Sequence, residues 1–149
     1  KDYNRAVQLD GEDAVAVADR GEAYRAMGQW EAAANDFRRA IELDPQLARA
    51  YQSAAWLMAT CPDERYRHPK LAVQAAEKAV AIQGDEDYIY LDTLAAAYAN
   101  AGQFNRAESA VRQAIALTPP DYAGRLKMRL DMYRQQKPFR QTLRSTTTR

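Results

Sequence analysis

The chain has 149 residues, 47% of them apolar and 28% charged, and a net charge of +1. This balance fits one small domain or a short repeat array and excludes a disordered polar chain. No apolar run approaches the roughly 18 residues that span a bilayer, and a single cysteine, Cys61, excludes an intrachain disulfide.

In chain order, the apolar periodicity predicts helices over 1–9, 14–27, 30–43, 47–60, 69–82, 87–101, 104–117 and 121–136. The first of them, in "DYNRAVQLD" (2–10), aligns with "DFRRAIELD" (36–44) at an offset of 34 residues. Residues 1–13 therefore read as the second helix of a truncated upstream repeat, and the chain as a piece of a longer array. The stretch "GEAYRAMGQWEAAANDFRRAIELDP" (21–45) combines small residues, aromatics and a closing proline. Its Tyr24, Gly28, Trp30, Ala33 and Ala40 recur 74 residues later as Tyr98, Gly102, Phe104, Ala107 and Ala114. A middle copy carries Tyr51, Ala54, Ala55 and Met58, then Ala72, Ala76 and Ala79, with its extra residues in "CPDERYRHPK". Self-similarity at a fixed period marks a repeat architecture. The spacing is that of packing: alanine and glycine let two helix backbones approach, and Tyr24, Trp30 and Phe37 fill the space between them.

On these residues the chain resembles the tetratricopeptide-repeat (TPR) family. Gly21, Tyr24, Gly28, Trp30, Ala33, Phe37, Ala40 and Pro45 fall at the family's signature intervals, and the match extends over about 120 residues. The middle copy departs most, with Pro62 where a turn glycine is usual and Pro69 in place of an aromatic. The resemblance implies an all-α fold, a right-handed α-solenoid of antiparallel helix pairs with a C-terminal capping helix. The units are expected at 14–47, 48–86 (with the inserted loop 61–70) and 87–120, followed by a capping helix over 121–137 and a mobile basic tail over 138–149.

The resemblance also implies a concave groove lined by the first helix of each unit. In register, its inward positions are Asp19, Glu22 and Arg25, then Arg49, Gln52, Ser53 and Trp56, then Asp92, Thr93 and Asn100. Arg25, Arg49, Gln52, Trp56, Asp92 and Asn100 form the expected partner-binding set. Arginine would pair with a carboxylate and Trp56 would supply desolvated area. The clamp by which some family members hold acidic chaperone tails is not matched, since its positions carry Ala18, Glu22, Ser53, Ile89 and Thr93. Arg65, Tyr66 and Arg67 in the inserted loop form a secondary expected patch, although a lengthened turn alone would also account for the insertion.

No catalytic, cofactor-binding or metal residues are expected. Cys61 and His68 share one loop without an activating environment, and Cys61, Asp63, Glu64 and His68 match no zinc spacing. Charge is lopsided: residues 1–124 carry 13 Lys/Arg against 19 Asp/Glu, and residues 125–149 carry 8 against 1. Those cations could contact phosphates by charge alone, but the lack of a recognisable nucleic-acid motif beside them disfavours nucleic acid as a partner, and they suit a capping helix with a polar outer face. The function expected is a non-enzymatic protein-interaction scaffold or adaptor binding a peptide or partner domain. The alternatives are a self-assembling array, hence a homo-oligomer, using acidic body and basic cap, or the regulatory part of a larger multidomain protein. No address is legible, and a cytoplasmic location is favoured.

Overall fold

Asp13 opens the first helix by accepting a hydrogen bond from the Ala16 N–H at 3.1 Å, which satisfies one of the orphan donors of the first turn. The computed structural model describes residues 13–142, so the helix expected over 1–9 lies outside the described residues. Seven α-helices follow in the described residues: α1 (Ala14–Ala26), α2 (Trp30–Leu43), α3 (Ala48–Thr60), α4 (Pro69–Gln83), α5 (Tyr88–Asn100), α6 (Phe104–Leu117) and α7 (Ala123–Arg134). They pack as antiparallel pairs, α1 with α2, α3 with α4 and α5 with α6, and α7 closes on α6. The first helices also touch in sequence, α1 on α3 and α3 on α5, which builds an α-solenoid.

The interior is mostly alanine. Ala33 and Ala40 of α2, Ala72, Ala76 and Ala79 of α4, and Ala107, Ala110 and Ala114 of α6 are all buried. Larger side chains fill the wider gaps: Phe37 and Leu57 between the first two pairs, and Leu91, Val111, Leu126, Leu130 and Tyr133 at the C-terminal end. The approach is close at Gly21 of α1, where an added Cβ would lie 2.6 Å and 2.8 Å from two ring carbons of Phe37.

Two inter-helix turns close identically. The Gln29 N–H donates to the Tyr24 carbonyl at 2.9 Å and the Gly28 N–H to Arg25 at 3.0 Å, with Gly28 at φ +74°. The Gln103 N–H reaches Tyr98 at 2.8 Å and the Gly102 N–H reaches Ala99 at 3.0 Å, with Gly102 at φ +78°. This is the helix-ending pattern that needs a left-handed residue just past the cap. A third instance ends α7: the Lys137 N–H donates to Met132 and the Gln136 N–H to Tyr133, both at 2.9 Å, and Gln136 takes φ +58°. Gln136 stands 34 residues after Gly102, so α7 occupies the first-helix place of a further unit as well as capping the array.

No second helix follows within the described residues. The repeat register places Gln141, Arg144 and Thr148 where Ala107, Ala110 and Ala114 stand one period earlier. Residues 138–142, expected as the start of a mobile tail, instead run without helix against the end of α3. Residues 143–149 are outside the described set. In the middle unit the inserted loop contains a single 3₁₀ turn, Glu64–Tyr66, and α4 begins at Pro69. Proline fits that first helical position, where its missing N–H would be unpaired in any case.

Gly21→Ala is expected to lower stability by about 1–2 kcal/mol, because overpacking against Phe37 outweighs alanine's better helix propensity. Urea denaturation measures this, and an unchanged midpoint would mean that the Phe37 ring swings clear at no cost.

Candidate functional site

Along α3 the sequence turns Trp56 and Gln52 to the same face, and the helix ends there with the Thr60 hydroxyl donating to the Trp56 carbonyl at 2.6 Å. That bond leaves the Thr60 carbonyl and a hydroxyl lone pair available. Residues 138–142 take both. The Gln141 N–H donates to the Thr60 carbonyl at 2.8 Å, and its side-chain Nε2 donates to Thr60 Oγ1 at 3.1 Å. The Gln141 Oε1 accepts from Arg25 Nη1 of α1 at 2.9 Å. Gln141 is thereby satisfied at its N–H and both ends of its amide, and only 8% of it is exposed.

Phe139 lies 5.7 Å from the Trp56 ring, tilted by 39°. The Arg129 guanidinium of α7 sits over both rings, 4.3 Å from the centre of Phe139 and 5.1 Å from that of Trp56. Such cation–π contacts strengthen when desolvated. Arg129 also pairs with Asp92 of α5, and the two side chains are only 11% and 13% exposed. Arg140 donates to the Ala59 carbonyl at 3.2 Å. Asp92 Oδ1, Arg129 Nε and the Tyr133 hydroxyl are buried beside this pair without a hydrogen-bond partner. Burial accordingly pushes the Asp92 carboxyl above its ordinary range, against the opposing charge of Arg129. The Tyr133 hydroxyl is raised by the same desolvation, reinforced by the charge of Asp92.

Of the six residues expected to bind a partner, Arg25 and Trp56 contact the segment 138–142 directly, and Asp92 does so through Arg129. Arg25 is held on its other side by Glu22, at 2.8 Å and 3.1 Å. Arg49 and Gln52 stand further along α3, toward its N-terminus. Arg49 is tied to Asp19 of α1, and Gln52 donates to Thr93 of α5 at 2.8 Å. Asn100 reaches the Met58 carbonyl at 3.5 Å. Reasoning from the sequence missed Thr60, Arg129, Phe139 and Gln141. Counting one further period from Gly102 to Gln136 was the signal that would have placed α7, and hence Arg129, in the array.

The loop residues divide. Arg65 is exposed and paired with Asp63 at 2.7 Å, with its guanidinium 5.6 Å from the Tyr66 ring. Tyr66 turns inward against the cluster of Ala33, Phe37, Leu57 and Cys61. Arg67 folds back onto the Cys61 carbonyl at 2.7 Å. The patch expected at 65–67 is thus split, and only Arg65 is fully presented to solvent. Tyr66 and Arg65 also wall a cleft of about 660 Å³ between α2 and α4, floored by Ala54, Leu57 and Met58 of α3. Cys61 is buried and its thiol is pushed up by desolvation, the opposite of an activated nucleophile. Among the described residues, no three His, Cys, Asp or Glu gather in metal-binding geometry, and no helix is long and apolar enough to cross a membrane.

Residues 21–55 match a family model described as TPR repeat, and residues 90–121 one described as tetratricopeptide repeat. No curated protein gives a significant match. The crystal structure of MamA protein is similar with a TM-score of 0.65, covering 90% of this chain and 74% of that one at 17% identity. At that identity the likeness speaks for the fold alone.

The Asp92 carboxyl should titrate above its ordinary value of 3.8, which a carboxyl-carbon NMR titration reads. A folded-state value above the unfolded one favours the folded protein below pH 3.8, and this contribution is lost as pH rises through the raised midpoint. Urea stability of the parent should therefore fall across that window relative to Asp92→Asn. A midpoint at or below 3.8 would mean that Arg129 outweighs burial.

Proposed function

Two stretches of this chain match tetratricopeptide-repeat models, and from that premise we propose that it is a non-enzymatic scaffold or adaptor. In this reading it takes an extended peptide of a partner protein across the faces of α1, α3 and α5. Repeats of this family generally mediate contacts between proteins, and the first helices of stacked pairs offer an extended binding surface.

One observation carries the proposal. This face already holds a non-helical run of polypeptide, gripped at its main chain by the Thr60 carbonyl, at a ring by Trp56 and at an amide by Arg25. A main-chain bond supplies affinity for any extended chain, and the ring and guanidinium supply selection. Trp56 and Arg25 are the anchors of this reading. Arg49 and Gln52 would extend the site only by exchanging their bonds to Asp19 and Thr93 for bonds to a ligand. Self-assembly through acidic body and basic cap is the second reading: Arg129 is turned inward, whereas Arg125, Lys127 and Arg134 of α7 are exposed.

A photo-crosslinking amino acid in place of Gln52 should capture the partner from source-cell lysate. One in place of Lys78, on α4, should not. Arg25→Ala should cut the Gln52 yield at least about tenfold, as the loss of a buried interface arginine commonly does. Capture from Lys78 alone would overturn the groove reading, and capture only of further copies of the chain would favour the self-assembling array.

A further inference from the structure

The segment 138–142 has the features of a ligand. Gln141 meets a site built for a primary amide: a guanidinium for its oxygen, and a hydroxyl oxygen for its nitrogen. Glutamate there would place a carboxylate oxygen against Thr60 Oγ1, whose proton is committed to the Trp56 carbonyl. Two residues earlier, Phe139 enters an aromatic and cationic slot formed by Trp56 and Arg129. Pro138 has no N–H to satisfy, and its ring favours an extended approach. The segment adds no helix to the array, so its departure would leave all seven in place.

We propose that residues 138–142 are an internal ligand of the groove, occupying in cis the subsites that a partner peptide takes in trans. The partner it must yield to carries the same chemistry: an aromatic residue in an extended run, followed two positions later by a glutamine. This rests on the first-helix face being the binding surface. Only residues 135–137 join the segment to α7, so its effective concentration at the groove is of the millimolar order of short linkers. A partner therefore meets a face that is mostly closed, and its apparent affinity falls by the fraction of time the face is open. One position favours exchange. The guanidinium of Arg140 is opposed by burial and by the nearby charge of Arg67, a burden that a partner with a neutral residue at that place would not carry.

The test uses the full chain with Phe139→Ala and, separately, Gln141→Ala, each checked for helicity by circular dichroism. In the parent the Gln141 amide should exchange its hydrogen at least tenfold more slowly than in a free peptide, and in Phe139→Ala at close to the free rate. A fluorescent peptide of sequence KPFRQT should bind both variants at least tenfold more tightly than the parent by anisotropy. The same peptide with glutamate in place of glutamine should lose at least tenfold. Free exchange at Gln141 in the parent overturns the proposal, as does equal peptide binding by parent and variants. Because Gln141→Ala leaves Phe139 and the helices untouched, a folding defect in the other variant does not blur the result. The groove reading fails separately, through partner crosslinks that arise from Lys78 and not from Gln52.

Discussion

Close approach between helices is the constraint on which the rest of the molecule depends. Alanines at the contact face of α2, α4 and α6 bring each second helix near its partner, and Gly21 permits a close passage against the Phe37 ring. Leucine or isoleucine at Ala33 or Ala40 would push the helices apart and void the contacts of every aromatic around them. Because each pair touches only its neighbours, this local demand repeats without a central core. The Arg20–Asp36 pair shows how closely α1 and α2 are locked: Arg20 Nε and Nη2 donate to the Asp36 carboxylate at 2.8 Å and 2.7 Å across that interface.

The same packing decides what is left for binding. Side chains on the contact face are consumed by the fold, whereas the first-helix face and the cleft between α2 and α4 are open to another molecule. On the first-helix face the polar groups form two sets. Arg49 with Asp19, and Gln52 with Thr93, tie adjacent first helices together and fix their spacing. Arg25, Trp56 and Thr60 instead meet the segment 138–142, Arg25 at the Gln141 amide oxygen, Trp56 at the Phe139 ring and Thr60 at the Gln141 N–H and amide nitrogen. The pair of Asp92 and Arg129 joins the sets, holding α7 to α5 while offering its cation to the rings.

Local periodicity made the helices legible, because each one satisfies its pattern within its own residues. Gly28 and Gly102 made two of the turns legible for the same reason. The fate of the C-terminal segment was not legible in this way. Its polar composition suggested a solvated tail, whereas Gln141 finds three partners on two helices 81 and 116 residues away in the sequence. Bonds of that range depend on the curvature of the finished array, which no local window contains. Tyr66 was misplaced by similar reasoning: an aromatic between two arginines in an insertion looks exposed, yet an apolar cluster from α2 and α3 receives it.

The turn at Gln136 has a wider consequence. Its backbone follows the path that elsewhere delivers the chain into a second helix, even though a glutamine must adopt the left-handed conformation to do so. As far as Gln136 the backbone therefore keeps the path of the earlier units, and from Pro138 it runs against α3. At this point the fold is a junction with two exits, one along a helix and one across the inner face. In such a solenoid, growth by a unit and a crossing of the first-helix face draw on the same few residues.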